Sequence, residues 1–364
     1  MTATIGERPA PALERRTGSE TIRIGVIGYG YWGPNLVRNF AEVAGSEVVA
    51  VSDLNTLRLA QVRGRYPSIK TTTDYRDLLS DTSIDAVVIA TPVRTHFDLA
   101  LQALRAGKHV MVEKPMAEST AQALQLIEAA QRYRRVLMVD HTFIYTGAVR
   151  KIKELVTSGR VGQLYYYDSV RVNLGLVQHD VSVLWDLAVH DLSIMDYVLA
   201  AEPYAVSATG AAHIPGKPVN TAYLTCLFPD NLLAHFHVNW LAPVKIRRTL
   251  IGGDRQMIVY DDLEPSEKIK VYDKGITLNG ESTANNAYDL LVGYRAGDMW
   301  APQLSLTEGL RTEALHFLDC IRTGNRPTSD GLAGLRVVRI LEAASESLVL
   351  GGRPVELSPL EVAA

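Results

Sequence analysis

Three groups of residues have the types and spacings to do chemistry. Gly28-Tyr29-Gly30-Tyr31-Trp32-Gly33 has the G-x-G-x-x-G spacing that lets backbone amides close on a pyrophosphate. In Glu113-Lys114-Pro115 the proline restricts Lys114 to extended backbone, which gives its ammonium a defined direction. Asp186 and His190 stand four positions apart, so a helix would set a carboxylate beside an imidazole on one face. Together these groups meet the needs of alcohol oxidation. A dinucleotide accepts hydride, a cation holds the reacting oxygen, and an imidazole, which titrates near neutrality, takes the hydroxyl proton. At Lys114 the positive oxidised ring would disfavour the ammonium, whereas a developing alkoxide would favour it.

Each group alone has a plainer reading. The glycines could form an ordinary turn, Lys114 could be a solvated strand-end lysine, and Asp186 with His190 could be an i,i+4 surface pair. The surroundings of the motifs decide between these readings. The glycine motif follows the apolar run Ile22–Ile27 and precedes an amphipathic stretch, the strand-turn-helix context of a dinucleotide site. Asp53, about 20 residues after the last glycine, falls at the end of the second apolar run, where a carboxylate can accept ribose hydroxyls. It could instead cap the following helix. The absence of a cation immediately beside it favours NAD, with NADP left open through Arg58. Thr91-Pro92 ends the next strand and His96 begins the helix after it, and they are assigned to the nicotinamide-side ribose; Tyr31, Trp32, Glu113 and Lys114 are counted with them as cofactor-binding.

These motifs need elements to position them. Apolar runs at Ile22–Ile27, Val48–Val51, Ala86–Ala90, His109–Val112 and Val136–Val139 alternate with amphipathic stretches at Pro34–Ala44, Thr56–Arg65, His96–Ala106 and Ser119–Tyr133. This is the rhythm of a parallel sheet covered on both faces. After His141 it changes to alternating strands, including Gln163–Asn173, Thr221–Phe228 and Leu232–Leu241, with helices expected near Val183–Leu199, Leu306–Thr323 and Leu332–Val349. The expected fold is α/β: an N-terminal Rossmann doubly wound parallel sheet, then an α+β domain with a large, open, mostly antiparallel sheet. The boundaries read as a flexible extension over 1–20, a dinucleotide domain over 21–141 and a substrate and oligomerisation domain over 142–364. Thr283–Pro302 reads as a long loop. Tyr223, Phe236, Val238 and Trp240 suggest apolar residues on both sides of the pleat, and so association through that sheet.

With 364 residues, two domains are expected. A net charge of -3 argues against nucleic acid as a partner. No run is long and apolar enough to suggest a membrane span or signal peptide, and Cys226 and Cys320 form no metal or disulfide pattern, so a cytoplasmic protein without a metal is expected.

The order Gly28-x-Gly30-x-x-Gly33, Glu113-Lys114-Pro115, Asp186-x-x-x-His190 resembles the glucose–fructose oxidoreductase, inositol dehydrogenase and rhizopine-catabolism (Gfo/Idh/MocA) family over about Ile22 to Leu357. The resemblance implies an NAD(P)-dependent sugar or cyclitol oxidoreductase, a dimer or tetramer through the open sheet, and catalytic roles for Lys114, Asp186 and His190. The segments Asp140–Tyr145, Ser169–Leu176 and Leu184–Asp191 look like the branch acting on nucleotide-linked sugars, such as UDP-N-acetylglucosaminuronate 3-dehydrogenases of surface polysaccharide synthesis. For such a substrate Arg171 and Asn173 are the first choice for diphosphate or uronate contacts, with Lys151, Lys153 and Arg247 as further cations and Tyr145 and His179 lining the sugar pocket. Two other readings are a free-sugar, aminosugar or inositol dehydrogenase, and a dinucleotide-sensing regulator without turnover. Keeping Lys114, Asp186 and His190 together speaks against the regulator.

Overall fold

The computed structural model describes residues 21–175, 181–278 and 292–359. The chain divides into two compact units. One takes the chain up to Thr146 together with Thr307–Glu342, and the other takes Gly147–Leu306 and Ala343–Ser358.

In the first unit, six parallel strands are β1 Ile22–Ile27, β2 Ser46–Ser52, β3 Lys70–Thr72, β4 Ala86–Ile89, β5 His109–Glu113 and β6 Leu137–Asp140. Their order, β3-β2-β1-β4-β5-β6, is that of a doubly wound dinucleotide-binding sheet. β4 is apolar and buried along its whole length, as helices covering both faces of the sheet require. The helices are α1 Gly33–Glu42, α2 Thr56–Arg65, α3 Arg76–Ser80, α4 His96–Arg105 and α5 Thr120–Arg132. The sequence reading did not include β3 and α3, which are too short to carry a period.

The second unit begins with α6 Gly147–Thr157 and contains β7 Leu164–Leu174, α7 Val189–Leu199, β8 Ala205–Ala211, β9 Thr221–Leu227, β10 Leu233–Asn239, β11 Leu241–Gly253, β12 Met257–Asp261, β13 Ile269–Tyr272, β14 Gly275–Leu278, β15 Val292–Arg295 and β16 Met299–Trp300. Helices α8 Gly309–Thr323 and α9 Gly331–Val349 and strand β17 Val355–Glu356 follow. The nine-stranded sheet runs β16-β13-β12-β11-β7-β10-β9-β8-β17. Its β7–β10 pair is parallel, and its other pairs are antiparallel. Among the described residues no helix is long and apolar enough to cross a membrane.

Four expectations change here. First, α8 belongs to the first unit, not to the domain expected over 142–364: Phe317 packs edge-on against Phe40 with centroids 6.2 Å apart, and Glu308 pairs with Arg38 at 2.7 Å. Second, the stretch expected to be one loop holds β15 and β16, where Val292, Tyr294 and Trp300 carry strand preference; 279–291 lies outside the described residues. Third, Phe236, Val238 and Trp240 recur every second residue and are all buried, so they share one face of the pleat; Tyr223 is exposed. Fourth, Arg171, expected to contact substrate, is held in a buried ion pair. It is 3% exposed, with Nε 2.7 Å and Nη2 2.9 Å from the two carboxylate oxygens of the equally buried Asp191. This bidentate pair ties β7 to α7.

Removing one member of a buried ion pair leaves the other desolvated without a counter-charge. Arg171→Met is expected to lower the unfolding free energy by about 3–5 kcal/mol, with most of that recovered in Arg171→Met/Asp191→Leu. Urea unfolding of both variants measures this; equal losses in the single and double variants would contradict it.

Candidate active site

The glycine turn is built by close approach. Gly28 has φ +98°, and a β-carbon there would stand 2.4 Å from the Ala90 carbonyl oxygen at the end of β4. A β-carbon at Gly33 would stand 2.4 Å from the Gly28 carbonyl oxygen, so the start of α1 packs directly on the turn. At Gly30 the nearest atom is Arg58 Nη1 at 3.7 Å, which leaves the room a pyrophosphate needs. A proline in the first turn of α1 preserves that helix start, whose dipole favours an anion. Tyr31 (82% exposed) and Trp32 extend from the loop and meet edge to face at 5.8 Å.

Asp53 follows β2 and is held from two sides. Its Oδ2 accepts the Tyr29 N–H at 2.7 Å, and its Oδ1 accepts the Asn55 N–H at 2.7 Å. The helix cap is Asn55, whose side chain accepts the Leu57 N–H. Asp53 is thus a fixed acceptor beside the glycine turn, and Arg58 Nη1 approaches it at 3.4 Å. The turn and carboxylate fit the pyrophosphate and ribose of NAD.

Thr91 and Pro92 end the β4 segment, and the Thr95 hydroxyl donates to Thr91 Oγ1 at 2.7 Å. His96 is buried between two carbonyl oxygens, with Nδ1 2.8 Å from Pro115 O and Nε2 2.8 Å from Thr91 O. Burial lowers its pKa, while those carbonyls pull the other way. It therefore links the turns after β4 and β5. The Lys114–Pro115 peptide is cis.

Glu113 is the last residue of β5. It pairs in register with Asp140 at the end of β6 and is buried. Burial, then Asp140, push its carboxyl well above the usual carboxylate range. Glu313, on α8 and 0% exposed, shares the site, and burial followed by Asp140 and Glu113 raises it in the same direction. The Thr142 hydroxyl donates to Asp140 Oδ1 at 2.5 Å. His141, alongside, is lowered to about 3 by burial and then by the charges of Lys114 and Arg336. The sequence reading missed this cluster. Two neighbouring parallel strands both ending in an acid, Glu113 and Asp140, were the available signal.

Tyr145 is corrected from pocket to core. It is 1% exposed, bonded to Ser329 Oγ at 2.9 Å and packed on His316.

In the second unit, the segment before α7 is not a plain α-helix. Leu184–Ala188 forms one π turn, a feature frequent at functional sites, and α7 then begins at Val189. Asp186 lies in the π turn and His190 in the first turn of α7. Asp186 Oδ2 accepts the Trp240 indole N–H at 3.1 Å. Asn173 is half-buried near the end of β7. His179 lies outside the described residues. The other candidate cations are already engaged: Arg247 with Asp262 at 3.1 Å, Lys151 with Glu154 at 2.7 Å, and Lys153 with the Val198 carbonyl at 3.4 Å.

Residues 22–141 match the oxidoreductase family with the NAD-binding Rossmann fold, and residues 149–259 match the GFO/IDH/MocA C-terminal domain. The chain belongs to the Gfo/Idh/MocA family. It is 30% identical over 260 residues to the uncharacterized oxidoreductase YdgJ of Escherichia coli (strain K12), covering 69% of this chain and 74% of that one. It is 24% identical over 340 residues to the myo-inositol 2-dehydrogenase of Thermotoga maritima, covering 90% of this chain and 96% of that one. The solved structure of the UDP-N-acetylglucosamine 3-dehydrogenase GnnA from Acidithiobacillus ferrooxidans superposes with a TM-score of 0.76 at 26% identity, over 91% of this chain and 98% of that one. As a Gfo/Idh/MocA member the chain is an NAD(P)-dependent dehydrogenase acting on a CH–OH group, with an NAD-binding Rossmann unit.

The Glu313 carboxyl is raised in the fold, so its contribution to stability is fully present below the unfolded value near about 4.3 and is lost as pH rises through the higher folded value. Glu313→Gln removes that dependence. Its melting temperature should rise relative to the parent between about pH 5 and about pH 8. Thermal unfolding across that range checks it; a constant difference would contradict the assignment.

Proposed function

We propose that the chain oxidises a ring hydroxyl, at C3, of a nucleotide-linked sugar such as UDP-N-acetylglucosaminuronate. The observation that carries this reading is the near full-length likeness to a UDP-N-acetylglucosamine 3-dehydrogenase, in a chain that keeps Lys114, Asp186 and His190. NAD, when bound at the glycine turn, supplies the hydride acceptor at its nicotinamide C4. Lys114 holds the reacting oxygen and offsets its developing charge. His190 removes the hydroxyl proton, and Asp186 orients the imidazole or a neighbouring hydroxyl.

A second reading, a cyclitol such as inositol, has its own support. Arg171, Arg247, Lys151 and Lys153 all carry partners within the chain, whereas a cyclitol needs no cation for a diphosphate. A myo-inositol 2-dehydrogenase is among the relatives. The proposal also includes a cytoplasmic homo-oligomer, dimer or tetramer, formed through the sheet face that carries Tyr166, Tyr223 and Leu233, all exposed. Multi-angle light scattering reads the oligomer size, and a monomer would contradict it.

The deciding experiment follows NADH absorbance with NAD or NADP against UDP-N-acetylglucosaminuronate, UDP-N-acetylglucosamine, myo-inositol and scyllo-inositol. Turnover confined to the UDP sugars and reduced at least ~100-fold in His190→Ala supports the proposal. Turnover confined to the inositols replaces it with the cyclitol reading.

A further inference from the structure

Asp186 sits in the one-turn π segment, and a π turn by itself does not fix a side-chain rotamer. Two indoles make hydrogen bonds at that turn, one from within it and one from outside it. Trp185 donates through Nε1 to Ser345 Oγ at 2.9 Å, and Trp240 donates through Nε1 to Asp186 Oδ2 at 3.1 Å. The two tryptophans differ in burial. Trp185 is half-buried, whereas Trp240 is 1% exposed and is the single residue between β10 and β11.

The backbone around Trp240 is arranged to hold that indole in place. Its N–H donates to Asn220 O at 3.0 Å, and its carbonyl accepts the Gly175 N–H at 3.1 Å. A β-carbon at position 175 would come within 2.9 Å of Trp240 Cδ1, so the glycine leaves the space the ring occupies. Asn220 is itself fully buried. An indole N–H donates only, and a buried one needs an acceptor; here that acceptor is a carboxylate, which gives the stronger, charge-assisted kind of bond.

We propose that Trp240 is a positioning residue for the reaction: by anchoring Oδ2 it sets the Asp186 carboxylate in one orientation and so fixes the direction of Oδ1. This rests on the reading of Asp186 as the carboxylate that orients the base or the substrate. Trp240 acts through Asp186 and touches no reacting atom. Its effect should therefore vanish when the carboxylate is gone.

Two measurements test this, the first without turnover. The chain has four tryptophans, so four indole N–H signals are expected in a ¹H–¹⁵N spectrum, and Trp240→Phe assigns one by its loss. That signal should exchange slowly with solvent and should move in Asp186→Asn; a signal that exchanges freely or stays in place overturns the proposal. The second is a double-variant cycle with UDP-N-acetylglucosaminuronate and myo-inositol as probes. Trp240→Phe, which keeps an aromatic ring and removes the donor, should lower kcat by about 10-fold or more with the KM for NAD unchanged. In the Asp186→Asn background the same change should cost less than about 2-fold. Equal losses in both backgrounds would mean that Trp240 only supports the fold, and the proposal fails. If Asp186→Asn itself leaves turnover intact on the responding probe, the reading of Asp186 fails instead, whatever the indole signal shows.

Discussion

The β1 turn passes so close to the end of β4 that there is no room for a side chain between them. Gly28 lies against the Ala90 carbonyl and Gly33 against the Gly28 carbonyl, each at a distance that excludes a β-carbon. The cofactor side of the first unit depends on this contact. The Gly28 N–H donates to Ser52 O at 2.7 Å, and the next amide, that of Tyr29, donates to Asp53. One crossing therefore brings the glycine turn, the acidic strand end and the Thr91-Pro92 turn together. Parallel pairing in the order β3-β2-β1-β4-β5-β6 produces that crossing, because it sets the carboxyl ends of β1, β2 and β4 side by side.

Much of the fold was legible because its signals are periodic. The buried runs of β1, β4, β5 and β6 and the alternation of β9 and β10 fall within a residue or two of where apolar patterning places them. Patterning did not show which body an element joins. The amphipathic stretch of α8 faces Phe40 and Arg38 of the first unit, a long-range pairing with no local trace. Of the four apolar residues read as lying on both sides of the pleat, Phe236 and Val238 share the buried face of β10 with Trp240 just beyond it, and Tyr223 of β9 is exposed.

The candidate site divides in the same way. The placement of the glycines, Asp53 and Lys114 just after β1, β2 and β5 was readable because apolar patterning defines where those strands stop. Tyr145 and Arg171 looked like binding residues because a tyrosine or arginine in a suggestive segment carries no mark of burial; only the partners, Ser329 and Asp191, identify them as structural. Glu113, Asp140 and Glu313 show the converse. Charged residues usually read as surface, yet these three are buried together, and burial pushes the carboxyls of the two glutamates up. The Trp240–Asp186 bond joins residues 54 positions apart and was invisible for the same reason.

The central claim is that a substrate carbon loses hydride to the nicotinamide while a protein base removes only the hydroxyl proton. The most direct measurement is the fate of deuterium in a single turnover with NAD and substrate labelled at the carbon to be oxidised, using UDP-N-acetylglucosaminuronate labelled at C3 and myo-inositol labelled at C2. Direct hydride transfer predicts that the label appears on nicotinamide C4, on one face of the ring. Label released to solvent would mean proton abstraction from carbon, and would contradict the account.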